Sequence, residues 1–97
     1  MIARPAIDVA VAVIRNDAGH YLLSKRQMHQ DLGGLWEFPG GKVMSGESWY
    51  AALCRECNEE LGIVVQSASR MLEIWHDYGN KTVLLSVWQV EHLPDRQ

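Results

Sequence analysis

Runs of apolar residues, separated by turn residues, divide the chain into five predicted strands. The runs occupy residues 7–15, 20–26, 36–38, 71–78 and 82–90. They are rich in Val, Ile, Leu and aromatic side chains, which pack well on a pleated sheet. An Asn-Asp-Ala-Gly turn at residues 16–19 follows the first run and Gly79-Asn80 follows the fourth, so two hairpins are expected.

One helix is predicted between Ser48, a favourable N-cap residue, and Leu61, with Gly62 closing it. Its apolar positions recur at helical spacing and form one stripe. These positions are Tyr50, Leu53, Cys54, Cys57 and Leu61. The element order β-β-β-α-β-β predicts a single domain over residues 1–97, of the α/β class with a mixed sheet (an α+β arrangement).

The last predicted strand is apolar on both faces, which is typical of a strand covered on both sides. The residues are Val83, Leu85 and Val87 on one face and Leu84, Trp88 and Val90 on the other. A single helix covers only one face of a sheet, so we expect the other face to be open to association. Trp36, Trp75 and Trp88 lie on predicted strands, and their size and apolar surface favour the core over a base-stacking surface.

The bulk properties exclude several classes of protein. The chain has 97 residues and a formal net charge of −3, which gives no general attraction to a nucleic acid polymer or an anionic membrane. No run approaches the roughly 18 apolar residues of a membrane-spanning helix, and the first residues lack the pattern of a secretory signal. We therefore expect a cytoplasmic protein. If a chain of this charge were an enzyme with an anionic substrate, it would need metal ions to bring the two together.

Cys54 and Cys57 form a CxxC pair, which raises the possibility of a redox or zinc protein. Zinc would need two further ligands at suitable spacing, and the sequence offers no partner pair. A reactive thiol needs a basic neighbourhood, whereas these two lie deep in a helix beside glutamates. The pattern favours reduced core thiols.

Three glutamates of the predicted helix, Glu56, Glu59 and Glu60, fall within roughly a 100° arc because residues three and four apart are neighbours on a helix. An ordinary solvated acidic face is one explanation. A site for a hard cation is the other, because Mg²⁺ prefers carboxylate oxygens together with substrate phosphates.

The surrounding residues decide between these explanations. Gly41, Glu47, Arg55-Glu56, Glu59-Glu60 and Gly62 stand at the spacing of a loop–helix–loop signature, and this pattern resembles the Nudix box. Every charged and glycine position fits, and the one departure is Cys57, where the family usually has a bulkier aliphatic residue. That position faces the predicted core, so the departure concerns packing and not chemistry.

The resemblance extends to residues 34–42, Gly-Leu-Trp-Glu-Phe-Pro-Gly-Gly-Lys, and to the basic pair Lys25-Arg26, which look like MutT-type members of the family. It implies a Nudix fold, an α/β/α sandwich. MutT-type chains usually continue past residue 97 with a further strand and a helix that covers the open face. We therefore expect either a fragment or a naturally short chain, with a possible homodimer through the open sheet face.

The resemblance also implies a set of metal ligands and helpers. Glu56 and Glu60 are expected as principal ligands, with Glu59 and the Gly40 carbonyl completing the shell around Mg²⁺, for which Mn²⁺ is a possible substitute. Arg55 is expected to orient a carboxylate, Glu47, and not to touch substrate. An ordinary surface ion pair is the alternative for Arg55 and Glu47.

Substrate contacts are expected from residues around the box. Arg26, Lys42 and Lys81 are candidates for phosphate or base contacts, and Phe38 is expected either to pack on the base, with Glu37 and Pro39 nearby, or to be a core aromatic. The implied reaction converts a nucleoside triphosphate to the monophosphate and pyrophosphate, and oxidised purines such as 8-oxo-dGTP are the first substrate class. A pyrimidine triphosphate pyrophosphatase and a catalytically silent nucleotide-binding domain remain as alternatives.

Overall fold

The computed structural model describes residues 6–25 and 36–93, which form six strands and one helix. The elements are β1 Ala6–Ile14, β2 Ser24–Lys25, β3 Trp36–Glu37, β4 Gly40–Lys42, α1 Trp49–Leu61, β5 Val65–Asp77 and β6 Thr82–His92. Strands β4, β1, β6 and β5, in that order, make a four-stranded sheet, and β2 pairs with β3 in a second, two-stranded sheet. The predicted combination of one helix with a mixed sheet is confirmed.

The mixed character of the main sheet comes from β1. This strand pairs in parallel with β6 along its whole length and antiparallel with β4, while β5 and β6 form an antiparallel hairpin. Val, Ile and Leu occupy half of the positions of β1 and β6, as expected for central strands with neighbours on both sides. The strand order leaves β4 and β5 at the two edges.

Most strand boundaries agree with the sequence prediction to within two residues, and three differ more. Residues 40–42 form strand β4, although Pro39-Gly40-Gly41 predicts only the end of the preceding strand. The predicted strand 20–26 is reduced to β2 and an isolated bridge between Arg15 and Tyr21, and Arg26 lies outside the described residues. Strand β5 begins at Val65, earlier than the predicted residue 71. Strand β4 forms because it pairs with β1, and the early part of β5 forms because it pairs with β6. A local sequence pattern does not show this pairing.

Helix α1 has the ends that the sequence predicts. The Ser48 hydroxyl accepts a hydrogen bond from the Ala51 amide at 3.0 Å, which satisfies one of the free amides of the first turn. Gly62 has φ +67°, and its amide donates to the Asn58 carbonyl at 2.9 Å. In residues 6–25 and 36–93, no helix is long and apolar enough to cross a membrane.

The core lies between α1 and one face of the main sheet. Ala10 and Ala12 of β1 are fully buried, and their small side chains let the helix approach the sheet through Leu53 and Cys57. Tyr50, expected in the apolar stripe, is 44% exposed instead, and Ala52 takes a buried position. The predicted stripe is therefore correct for Leu53 and Cys57 and wrong for Tyr50.

The opposite face of the sheet, here called the open face, has no helix against it among the described residues. It is formed by Ile7, Val9, Val11 and Val13 of β1, Val83, Leu85 and Val87 of β6, and Leu72 and Ile74 of β5. Leu72 and Ile74 are 47% and 46% exposed. The expectation that one helix covers only one apolar face is confirmed for this part of the chain.

Two of the three tryptophans expected in the core lie on the surface. Trp36 is 64% exposed on the two-stranded sheet, with the Lys25 ammonium 5.8 Å from its ring centroid. Trp75 is 62% exposed because β5 is an edge strand. Trp88 of β6 packs on the core, and its outer ring face carries the Arg70 guanidinium at 5.0 Å.

Both cysteines are free thiols, and they differ in exposure. Cys57 is fully buried in the core, whereas Cys54 is half-buried. Burial raises the pKa of Cys57 to about 11, because the thiolate loses its hydration, and the charges of Cys54, Glu60 and Glu56 add to the effect. The prediction of a core thiol is confirmed for Cys57.

We expect an aromatic disulfide reagent at pH 8 to label Cys54 in the native protein and Cys57 only after unfolding. The reason is that the reagent must reach the sulfur and react with its thiolate form. Cys57 is buried, and its raised pKa keeps it a thiol at pH 8. Absorbance of the released thiol measures the rate. Cys54→Ala is the control and should abolish the fast phase, and equal labelling rates for the two native thiols would contradict the assignment.

Candidate active site on the glutamate-bearing helix

Arg55 of α1 joins the helix to the loop before it. Its Nε donates to Glu47 Oε2 at 2.8 Å and its Nη2 to Glu47 Oε1 at 3.0 Å, the paired geometry in which guanidinium and carboxylate planes match. Nη2 also donates to the Lys42 carbonyl at 2.9 Å. The predicted contact between Arg55 and Glu47 is therefore present. The hydrogen bond from Arg55 to the Lys42 carbonyl also holds the end of β4 to the helix.

The same guanidinium reaches the glutamates of the helix. Nη1 donates to Glu56 Oε1 at 2.7 Å and, more weakly, to Glu59 Oε2 at 3.4 Å. Hydrogen bonds from Arg55 lower the pKa of Glu47 to about 2, with the Met44 amide as a second donor, and the same pairing raises the pKa of Arg55. The cluster is thus a fixed network of charges and differs from an isolated surface ion pair.

The low pKa of Glu47 predicts a dependence of stability on acid. A carboxyl whose folded pKa lies below its unfolded value stabilises the fold above the unfolded value, and this contribution is lost as the pH falls through the folded value. We expect the difference in unfolding free energy between wild type and Glu47→Gln to be constant above pH about 4.5 and to shrink down to pH about 2. Urea denaturation at a series of pH values measures it, and a difference that does not change over this range would refute the prediction.

Glu60, in the last turn of α1, is held by donors from two strands. Its Oε2 accepts from the Gly40 amide at 3.3 Å and from the Ser24 hydroxyl at 3.4 Å. Burial raises the pKa of Glu60, the Gly40 amide opposes that effect, and the charge and hydrogen bonding of Glu56 and the charge of Glu37 add to it. Glu56 and Glu60 therefore lie close enough for their carboxylates to interact, with Glu37 nearby.

The two glycines of β4 make room for this arrangement. A Cβ on Gly41 would come within 3.0 Å of the Glu56 carboxylate, and a Cβ on Gly40 would come within 3.0 Å of the Ala10 carbonyl. In the β1–β4 ladder, Ala12 N donates to Pro39 O and Val43 N donates to Asp8 O, so residues 39 and 43 of this segment are bonded to β1. Because such residues alternate along an antiparallel strand, Gly40, opposite Val11, has its amide directed away from β1. That direction brings the Gly40 amide to Glu60.

Glu59 departs from the expected group of three ligands. Its side chain is 59% accessible, compared with 14% for Glu56, and it turns toward Arg55. Within the described ranges, no three His, Cys, Asp or Glu side chains are gathered as they would be around a metal ion. Arg55 Nη1 thus lies between Glu56 and Glu59, whereas Glu60 is held by the Gly40 amide and the Ser24 hydroxyl.

The expected substrate contacts divide into those near the glutamates and those away from them. Glu37 lies near Glu60, whose pKa it affects. Phe38 is 42% exposed and meets the Tyr21 ring edge-to-face at 6.1 Å, so it is not a core aromatic. Pro39 is buried, and its carbonyl accepts from the Ala12 amide at 2.8 Å.

Of the three basic candidates, the two that the structure describes, Lys42 and Lys81, lie away from the glutamates. Lys42 pairs with Val9, whereas Gly41 pairs with Ala10 of the helix-facing surface, so the Lys42 side chain lies on the open face. Lys81 lies in the β5–β6 turn with its ammonium 5.5 Å from the Tyr78 ring centroid. Thr82, the next residue, pairs with Ala6 of β1, whereas Gly40 pairs with Val11 of β1. Ala6 and Val11 are about 16 Å apart along the strand, so Lys81 lies far from Gly40. Arg26 lies outside the described residues.

The sequence prediction missed Ser24 and the role of Gly41 as space for a carboxylate. Ser24 stands next to the basic pair in a strand too short to show alternation, so no pattern singles it out. Gly41 belongs to the box, but only the structure shows that Glu56 fills the place of its missing side chain.

Comparison with known proteins decides the family. A model of the NUDIX domain matches residues 10–97. The chain belongs to the Nudix hydrolase family. The predictions of a MutT-like Nudix protein and of a hydrolase are confirmed by this match together with the relatives and the solved structure described below.

Two relatives illustrate how this Nudix chain compares with characterised members. It is 32% identical over 90 residues to an "8-oxo-dGTP diphosphatase" of Proteus vulgaris, covering 93% of this chain and 80% of that protein. It is 39% identical over 89 residues to a "CTP pyrophosphohydrolase" of Escherichia coli K12, covering 92% of this chain and 63% of that protein. The chain thus spans less than two thirds of the second relative.

A solved structure agrees with the fold of this Nudix chain. A MutT protein from Methanosarcina mazei Go1 superposes with a TM-score of 0.83 at 29% identity, covering 99% of this chain and 70% of that one. The order of strands and the place of α1 described above are therefore those of a Nudix fold.

The donor set of the Nudix helix fits a divalent cation. Glu56 and Glu60 supply carboxylate oxygens, and the strand position of Gly40 directs backbone groups of the sheet edge toward Glu60. Hard cations such as Mg²⁺ take oxygen ligands of these kinds. The space at Gly41, which a Cβ would fill, admits the Glu56 carboxylate against the backbone. Nudix hydrolases generally use divalent metal, and these residues match that use.

Proposed function

We propose that this chain hydrolyses a nucleoside triphosphate to the nucleoside monophosphate and pyrophosphate with Mg²⁺, for which Mn²⁺ can substitute. The observation that carries the proposal is the convergence of Glu56 and Glu60 beside Gly40 and Gly41. Two carboxylates held this close without a bound cation repel each other. A cation together with an anionic substrate converts that repulsion into binding.

In this proposal the reaction is attack of water on a phosphorus atom, with cleavage of the bond to the leaving phosphate oxygen. A bound divalent cation would neutralise phosphate oxygens and polarise the attacking water. The residues of the chain position the two carboxylates, Glu56 and Glu60. Arg55 fixes Glu56 through one hydrogen bond while Glu47 fixes Arg55, and the Gly40 amide fixes Glu60. Phosphoryl transfer depends mainly on such positioning.

For the substrate we propose an oxidised purine nucleotide such as 8-oxo-dGTP. The name of the Proteus vulgaris relative supports this class, as does the exposed Phe38 ring, one residue from Glu37. An exposed aromatic ring such as Phe38, which meets Tyr21 edge-to-face, suits a flat base. CTP is the second candidate, since the Escherichia coli relative of that name is 39% identical. Contacts from Arg26, Lys42 and Lys81 stay predictions.

A panel of triphosphates tests the proposal. Wild type is assayed for pyrophosphate release with Mg²⁺ on 8-oxo-dGTP, dGTP, CTP and dCTP, with Glu56→Gln as the negative control. Fastest release from 8-oxo-dGTP supports the first substrate class, and fastest release from CTP or dCTP supports the second. Binding of nucleotide without turnover on every substrate would identify a silent nucleotide-binding domain and refute the hydrolase proposal.

We also expect the chain to form a homodimer through the open face. Leu72 and Ile74 are about half exposed there, on edge strand β5, and exposed apolar sheet surface favours association. Sedimentation velocity at micromolar concentration measures the state. Ile74→Lys should shift the protein to monomer, whereas Trp75→Lys, on the other face of the same strand, should leave the dimer. A monomeric wild type, or equal effects of both changes, would contradict this.

A further inference from the structure

Ser24 contacts the site from outside the box and outside the helix. Its hydroxyl donates to Glu60 Oε2 at 3.4 Å, and the two residues are 36 positions apart in sequence. The Gly40 amide donates to the same oxygen at 3.3 Å. Glu60 is therefore held by one donor from β2 and one from β4.

The register of the small sheet explains why Ser24 faces the helix. Ser24 pairs with Glu37 and Lys25 with Trp36, so Ser24 and Glu37 share one face of the β2–β3 sheet. Both members of this pair act on Glu60, Ser24 through its hydroxyl and Glu37 through its charge. The other face carries Lys25 above the Trp36 ring. The small sheet thus presents its polar pair to the last turn of α1.

We propose that Ser24 is a positioning residue that sets the divalent-cation affinity of the site through Glu60. A carboxylate fixed through one oxygen presents the other in a single direction, which reduces the ordering needed when a cation binds. Both donors share Oε2, so their combined effect is to fix the orientation of Glu60. The proposal rests on the proposed function in that it takes Glu60 as a cation ligand.

Ser24→Ala, Ser24→Thr and Ser69→Ala test the proposal. Threonine keeps the hydroxyl, and Ser69 is an exposed serine on β5 that serves as the matched control. Mn²⁺ is the probe, because the paramagnetic resonance signal of the free ion reports binding without turnover. We expect Ser24→Ala to weaken Mn²⁺ binding about three- to tenfold, the effect of one hydrogen bond to a carboxylate. Ser24→Thr should restore it and Ser69→Ala should not change it.

Companion measurements separate positioning from a structural effect. In Ser24→Ala the thermal midpoint should stay within about 2 °C of wild type, the size of a surface substitution, and the Mg²⁺ concentration for half-maximal turnover should rise. Unchanged Mn²⁺ affinity in Ser24→Ala would overturn the proposal. A lowered midpoint with weaker binding in both Ser24 variants would also overturn it, because that pattern belongs to a structural role.

The same experiment distinguishes this inference from the proposed function. If wild type binds Mn²⁺ but hydrolyses no triphosphate, the proposed function fails, and the Mn²⁺ affinities still decide the role of Ser24. If wild type binds no Mn²⁺, the inference is wrong, because Glu60 then holds no cation for Ser24 to influence.

Discussion

Glu56→Gln and Glu60→Gln should each lower turnover about a hundredfold or more while the protein remains folded. Each change removes a charge that we assign to cation binding, and losses of this size accompany the loss of a metal-site carboxylate. Without metal, the thermal midpoint of Glu60→Gln should hold or rise slightly, because the change removes the repulsion of a like-charged pair four residues apart, about a few tenths of a kcal/mol. In Glu56→Gln the loss of the ion pair with Arg55 opposes this gain. Both residues lie on α1, whose buried side chains are untouched.

Steady-state kinetics and thermal denaturation without metal measure these effects. Glu91→Gln, an exposed glutamate of β6, is the control and should leave both quantities unchanged. Glu59→Gln should have a smaller effect than the other two, because Glu59 is exposed and turned toward Arg55. Turnover close to wild type in Glu56→Gln or Glu60→Gln would sink the cation assignment.

The glycine pair of β4 gives the second large effect. In Gly41→Ala the new methyl group would occupy the place of the Glu56 carboxylate, which is the end of a flexible side chain and can move. We expect turnover to fall about tenfold or more with little change in stability, within about 0.5 kcal/mol. In Gly40→Ala the methyl group meets the Ala10 carbonyl, and the residue has φ +155°. That change should cost about 2–3 kcal/mol of unfolding free energy.

Urea denaturation and kinetics on the two variants separate the effects. If Gly41→Ala unfolds as easily as Gly40→Ala, the space at Gly41 serves the β1–β4 pairing and not Glu56. If Gly41→Ala keeps wild-type turnover, the position of the Glu56 carboxylate has no bearing on the reaction. Either result would refute the role given to Gly41.

Features that depend on local sequence were predicted correctly. The caps of α1 follow from Ser48 and Gly62, because each acts on amides or carbonyls of its own helix end. The neighbourhood of Glu56 and Glu60 follows from helical spacing. The contact of Arg55 with Glu47 followed from the resemblance to the Nudix box, since nothing in the spacing alone selects that partner.

Features that depend on distant partners were missed. Residues 40–42 and the first residues of β5 are strands because β1 and β6 pair with them. The sequence of these segments alone does not show which distant strand will pair with them. Trp75 is an aromatic residue on a strand, but its exposure depends on β5 lying at the edge of the sheet. Ser24 meets Glu60 only through the pairing of β2 with β3.

The parallel pairing of β1 with β6 has a consequence for how this protein folds. The two strands come from opposite ends of the described residues, so the centre of the sheet forms only by closing a loop that contains every other element. Domains dominated by such long-range contacts fold slowly compared with helical bundles. During synthesis, Ala10 and Ala12 have no complete sheet around them until β6 leaves the ribosome. Leu53 and Cys57 of α1, which pack with Ala10 and Ala12, therefore meet the complete sheet only after β6 has been added.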